Sequence, residues 1–267
     1  MTANWFERHY FLLRRLHSLS GVVPIGAFLI IHLTTNASIV WGNIDAGHGG
    51  VGTFQHEVNF IHSLPALLLT EIFVLWIPIA FHSILGFYYA FSGRPNVDRY
   101  RYQANRRYAL QRLTGYLGFL FIVYHVATLR WGWTFLVPGG TKWSYEYAAS
   151  TLAAAMQGSD EGMTRWGLVV AAFYMFGVTA LVFHFANGLW TAAITWGLTV
   201  SAQAQKRWGM VCFAIGAGLM ALAWSAVVGF ATLDPQEARL VEEDILRGRG
   251  ALVEPDRDTQ ADAREER

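Results

Sequence analysis

Long apolar runs separated by short polar connections set the pattern of this chain. The five runs lie near Leu19–Val40, Leu64–Phe91, Leu113–Phe135, Leu168–Thr195 and Met210–Thr232. Each is long enough to cross the ~30 Å hydrocarbon core as a helix of about 20 residues. The pattern predicts an all-α membrane protein with five transmembrane helices over residues 1–233 and a charged C-terminal extension over 234–267. Before the first run, Trp5, Phe6, Tyr10 and Phe11 alternate with Glu7, Arg8 and His9, as in an interfacial amphipathic segment. Pro24 falls in the first span and Pro65 suits the first turn of the second. Pro78, unable to donate to Val74, predicts a kink one turn before His82.

Composition agrees with a membrane protein: 54% of residues are hydrophobic and only 15% charged, against roughly 25% charged in soluble domains. The net charge of +1 conceals an asymmetry. Arg8, Arg14 and Arg15 precede the first span. Arg94, Arg99, Arg101, Arg106, Arg107 and Arg112 lie between the second and third, and Lys206 and Arg207 between the fourth and fifth, whereas Trp41 to Ser63 contains no Lys or Arg. The positive-inside rule puts the N-terminus in the cytoplasm and the C-terminus outside. Cys212 stands alone in the last span and excludes an intrachain disulfide. Arg14-Arg15 resembles a twin-arginine signal, but the run after it is too long and has no cleavage site, so it reads as a retained helix.

The connections carry little chemistry. The glycine-rich stretch Gly42–Gly52 follows no strand and reads as a flexible loop rather than a phosphate cradle. Trp131–Trp166 is the longest connection, with room for a short surface helix. Beyond Leu233 the acidic and basic tail reads as a partly helical or disordered extension, to which no chemistry is assigned.

An internal echo is more informative. Phe81-His82-x-x-x-Gly86 in span two matches Phe183-His184-x-x-x-Gly188 in span four. Spans one and three open on Arg15-Leu16 and Arg112-Leu113, pass Gly21 and Gly118, and reach His32 and His125. The first four spans thus form two hairpins on one plan. By depth, His32 and His125 fall in the outer half of the membrane, and His82 and His184 in the inner half. At 100° per residue, Gly21, Gly118, Thr114, Gly177, Gly86 and Gly188 recur on the histidine faces, mostly level with the opposite pair, leaving gaps that admit a flat macrocycle.

Buried imidazoles in a span need a partner. A haem iron takes one axial nitrogen on each side, which facing helices of a four-helix bundle can supply. With no Cys-x-x-Cys-His the haem is b-type. The expectation is two haems b, an outer one on His32 and His125 and an inner one on His82 and His184, on the order of 10 Å apart along the membrane normal. The competing readings are interhelical hydrogen bonds and a haem-free transporter with a proton relay. The relay usually enlists buried acids or lysines, and Glu71 is the acid available.

Glu71 shares a helix face with His82, about 16 Å outward of it. There it can exchange protons at a quinone, or simply face interfacial water. Arg15, His17, Ser18, Gln111 and Arg112 gather at the cytoplasmic ends of spans one and three, where they can pair with the propionates of the inner haem. Positive-inside anchoring accounts for the arginines equally well.

Arg14-Arg15-Leu16-His17-Ser18-Leu19-Ser20-Gly21, Leu110-Gln111-Arg112-Leu113-Thr114-Gly115 and Phe183-His184-Phe185-Ala186-Asn187-Gly188-Leu189-Trp190 together resemble the cytochrome b membrane anchor of di-haem succinate:quinone oxidoreductases, closest to the five-helix type of Bacillus-like bacteria. The resemblance runs from about Phe6 to Ala202, and more loosely to Thr232. It implies haem ligation by His32, His82, His125 and His184 in a multi-pass subunit of the bacterial cytoplasmic membrane. It also implies a flavoprotein partner that performs the dicarboxylate chemistry and an iron–sulfur partner docked on Arg94–Arg112. Electrons would then reach a quinone, menaquinone by family analogy, near the outer haem, with Glu71 as a site residue. The reverse traffic, quinol oxidation driving fumarate reduction, fits the same subunit. The bilayer and these subunits are the expected partners; nucleic acid is not.

Overall fold

A computed structural model of the chain describes residues 5–43, 48–92 and 103–248, and every regular element among them is helical. Five helical stretches are long and apolar enough to cross a membrane: Tyr10–Trp41, Leu67–Ser92, Asn105–Arg130, Arg165–Thr195 and Ala202–Thr232. Large apolar side chains on them, such as Ile31, Phe73, Ile84, Leu120 and Phe213, face outward, as lipid-facing positions do when only lipid remains to cover them.

The first span begins earlier than its hydropathy suggests. After a short helix α1 (Trp5–Arg8), helix α2 (Tyr10–Val22) takes in the segment expected to lie in the interface, and α3 (Pro24–Trp41) completes the crossing. The break falls at Val23 because Pro24, the first residue of α3, has no N–H to continue the ladder.

Next comes a correction. Within the supposed loop between the first two spans, α4 (Gly49–His62) is a helix of 14 residues; residues 44–47 of the glycine-rich stretch lie outside the described set. Pro65 is not in a helical turn either. It sits in the connection, ahead of Ala66, whose φ of +54° sets the left-handed entry to α5 (Leu67–Thr70).

The second span continues through a π-helical segment, Glu71–Trp76, into α6 (Ile77–Ser92). Just ahead of Pro78, where the sequence predicts a kink, the turn is widened: Ile77 N–H bonds Ile72 C=O, five residues back. The third span is α7 (Gln103–His125) followed by a second π segment, Val126–Arg130. It stops at Arg130, short of the expected Phe135. Of the arginines before it, Arg94, Arg99 and Arg101 lie outside the described residues.

The long connection does hold a helix, α8 (Ala148–Gln157), but not a surface one, since every residue except Thr151 is buried. The fourth span, α9 (Arg165–Thr195), starts where Thr164 accepts from Gly167 N–H, and the fifth, α10 (Ala202–Thr232), where Ser201 accepts from Ala204 N–H. The extension then forms α11 (Pro235–Gly248); residues 249–267 lie outside the described set.

Helix α9 is the hub, packing against α2, α7, α8 and α10, while α10 also covers α3. At the face opposite the arginine-bearing ends of α2 and α7, helices α4, α8 and α11 pack on one another as a cap. Phe54, Ala148, Ala149, Leu152, Met156 and Phe230 form its core. Buried amides tie it down: Gln55 accepts from Ala148 N–H and donates to Tyr145 C=O, and Gln157 donates to the carbonyls of Phe230 and Leu233. Cys212 is buried in α10.

Candidate functional site

Four histidines from four spans meet in two pairs. His32 on α3 and His125 at the end of α7 have ring centroids 5.7 Å apart with planes at 82°. His82 on α6 and His184 on α9 are 6.1 Å apart at 85°. Metal–nitrogen bonds of about 2 Å, added to the ring dimensions, put two imidazoles on opposite sides of one metal at roughly this separation. Among the described residues no group of three or more His, Cys, Asp or Glu gathers, so a carboxylate-rich metal cluster is absent there.

The hydrogen bonds fix which nitrogen is available. His82 Nδ1 lies 2.9 Å from the carbonyl of His17, and His184 Nδ1 3.0 Å from that of Gln111. A carbonyl only accepts, so both Nδ1 atoms carry the proton and both Nε2 lone pairs are left for another partner, the usual arrangement of metal-ligating imidazoles. The other pair is held more loosely. His125 Nδ1 is 3.3 Å from Tyr174 Oη, and His32 Nε2 is 3.4 Å from Asn36 Nδ2. Phe28 stacks on His32 and Phe121 on His125.

Glycines bring the helices close at these levels. A Cβ on Gly21 would stand 2.5 Å from His82 Cε1, and one on Gly115 would stand 3.0 Å from His184 Cε1. The expected alignment of Gly118 with the far pair is replaced by Gly115, three residues earlier; Gly118 meets Leu181 instead. Gly177 faces the Phe121 ring, Gly86 faces His17, and Gly188 faces Gln111.

The residues expected around the propionates divide. His17 stacks on His82 at 4.1 Å, and its Nε2 is buried without a hydrogen-bond partner. Gln111 contacts His184 directly, its Nε2 donating to the His184 carbonyl at 3.0 Å. Arg15 lies over the Trp196 ring and Arg112 over Tyr108, and Ser18 is half-buried on α2.

Glu71 is engaged by a residue that sequence reading passed over. Arg130 Nε and Nη2 reach its two carboxylate oxygens at 3.2 and 2.8 Å, a bidentate pair joining the two π segments. Beside it Trp76 and Trp131 stack at 6.0 Å. Tyr174 and Asn187 were missed as well. Asn187 had a signal: a polar amide three residues after a histidine in an apolar run needs partners.

No family model matches the chain, and no solved structure matches it significantly. One curated protein does: the chain is 34% identical over 221 residues to the succinate dehydrogenase cytochrome b558 subunit of Bacillus subtilis (strain 168), covering 82% of this chain and 96% of that protein. At this identity over nearly the whole of the relative, the chain belongs to the family of succinate dehydrogenase cytochrome b subunits.

Proposed function

We propose that this chain is the membrane anchor and electron-transfer subunit of a succinate:quinone oxidoreductase. In this reading it takes electrons from an iron–sulfur subunit and delivers them through two haems b to a quinone, menaquinone by analogy. The observation that carries it is the meeting of four intramembrane histidines as two couples, each at a separation one metal can bridge.

The residues fit the group. His32 with His125, and His82 with His184, would hold the two irons. A haem so ligated supplies reversible one-electron transfer. His82 and His184 keep Nε2 for a metal because the carbonyls of His17 and Gln111 take up Nδ1. Glycine at positions 21 and 115 keeps the helix backbones clear of both rings. The orphaned Nε2 of His17 supports a propionate contact at that end, together with Arg15, Ser18, Gln111 and Arg112. The arginine-bearing ends would face the cytoplasm and meet the iron–sulfur subunit, with the flavoprotein beyond it.

At the other end, Glu71 is the proposed proton carrier at the quinone, oriented by Arg130. The test is haem content in the purified protein by pyridine haemochrome. Two haems per chain are expected, with one lost in His184→Ala. Wild-type protein without stoichiometric haem would overturn the reading.

A further inference from the structure

Beside His184, polar side chains are strung together inside the bundle. Asn187, one turn further along α9, is 4% exposed. Its Nδ2 donates to Gln111 Oε1 at 2.7 Å, and its Oδ1 accepts from Arg107 Nε at 2.8 Å. Arg107 is itself laid over the Trp190 ring, 3.9 Å from its centroid. Gln111 closes the circuit on the histidine: its Nε2 donates to the His184 carbonyl while its own carbonyl accepts from His184 Nδ1. Both ends of each amide are thus occupied, in a region where an unpaired amide is costly.

None of the other three histidines has such a support. His82 is held by the backbone of His17 and a 3.4 Å contact to Ser20. His125 has Tyr174 at 3.3 Å from Nδ1 and Thr128 donating to its carbonyl. His32 has Asn36 of its own helix, 2.8 Å from its carbonyl and 3.4 Å from Nε2, and among the described residues no chain of side chains leads on from there to a second helix. The relay therefore acts on one member of one pair.

We propose that Arg107, Asn187 and Gln111 form a positioning relay for His184. It locks α7 against α9 so that the Gln111 carbonyl holds the Nδ1 proton, which fixes the ring and raises its basicity toward a metal. The inference rests on the haem reading above. It adds Arg107 and Asn187, which touch neither iron nor quinone and act through His184, and gives Gln111 a positioning role besides its propionate contact. Arg107, on this account, is turned into the bundle rather than presented to a docking partner.

The test uses the full-length protein in its assembled complex, with the two haem midpoints followed by redox titration and the low-spin electron paramagnetic signals recorded. His184→Ala identifies which signals belong to the His82–His184 pair. Asn187→Leu removes both ends of the relay. Asn187→Asp keeps the acceptor for Arg107, removes the donor to Gln111, and decides the matter if the leucine variant fails to assemble.

The expected result is about a tenfold change in the reduced-to-oxidised ratio of that haem at fixed potential, about 59 mV in its midpoint, with shifted g values and the other haem unmoved. Two haems with unmoved midpoints in Asn187→Asp, or equal shifts in both, would overturn the relay alone. Wild-type protein without haem would overturn it together with the haem reading.

Discussion

Glu242 of α11 reaches 92 residues back along the chain to Ser150, where its carboxyl group accepts from the Ser150 hydroxyl and N–H and from Ala149 N–H. The cap residue of α8, Tyr147, supplies no side-chain bond. A carboxyl from the C-terminal helix therefore satisfies the first N–H groups of a helix in the middle of the chain. It is fully buried. Replacing it with Ala leaves those donors unsatisfied at a cost of about 1–3 kcal/mol. Glu242→Ala should lower the Tm in detergent and expose α11 to proteolysis, with the haem spectra unchanged.

The same carboxyl makes the cap sensitive to pH. Burial pushes its pKa above the usual carboxyl value, while the hydrogen bonds from Ser150 and Ala149 oppose the shift. The folded state thus holds the proton more tightly than the unfolded one. The stability it contributes is fully present below the unfolded value of about 4.3 and is lost as pH rises through the folded value. Cap stability, followed by protease cleavage at α11, should fall across that window in the wild type and stay flat in Glu242→Gln.

Glycine at position 21 is demanded by a ring rather than by a turn. A methyl group there would stand 2.5 Å from His82 Cε1 and 2.9 Å from its Nδ1, pushing the imidazole off the His17 carbonyl. In an ordinary helix the same change would gain up to about 1 kcal/mol. Gly218, with nothing within 4 Å of its would-be Cβ, is the control. Gly21→Ala should hold one haem per chain by pyridine haemochrome, and Gly218→Ala two with an equal or higher Tm.

Much of this was legible in the sequence because hydrophobicity and depth are one-dimensional quantities. The spans and the coupling of His32 to His125 and of His82 to His184 follow from counting residues along apolar runs. The cap did not emerge. Gly49, Gly50 and Gly52 disguise the start of α4, and the short helix expected in the long connection reads as a surface one, because the partners that bury α8 come from distant parts of the chain. In α11 the spacing of Pro235, Ala238 and Glu242 marks one buried stripe, with an acid where an apolar residue was due. Arg130, Tyr174 and Asn187 act across helices, and of the two π segments that aim Glu71 and Arg130 at each other only the first, just ahead of Pro78, has a mark in the residue pattern.

Tyr174 offers a way to address the His32–His125 pair by itself. Its hydroxyl is 3.3 Å from His125 Nδ1, and the side chain is buried. Tyr174→Phe removes that contact, together with the hydroxyl's interaction with Thr128, at a cost of about 1 kcal/mol. The midpoint of the haem assigned to His32 and His125 should move while the other stays in place, the mirror image of the outcome expected for Asn187.

The Glu71–Arg130 pair separates a strut from a working acid. Its geometry is bidentate, but half of the Arg130 side chain is exposed, so as a strut it contributes no more than about 1 kcal/mol. A carboxyl group that moves protons at a quinone contributes about 100-fold or more to turnover. Glu71→Gln keeps the shape and removes the acid. In the assembled complex, succinate should still reduce both haems, while kcat for quinone reduction falls about 100-fold with little change in KM. Arg130→Lys keeps the charge but loses the two-pronged grip, so its kcat should fall between wild type and Glu71→Gln. Full quinone turnover in Glu71→Gln, with only a small drop in Tm, would reduce the pair to a surface strut and move the quinone elsewhere.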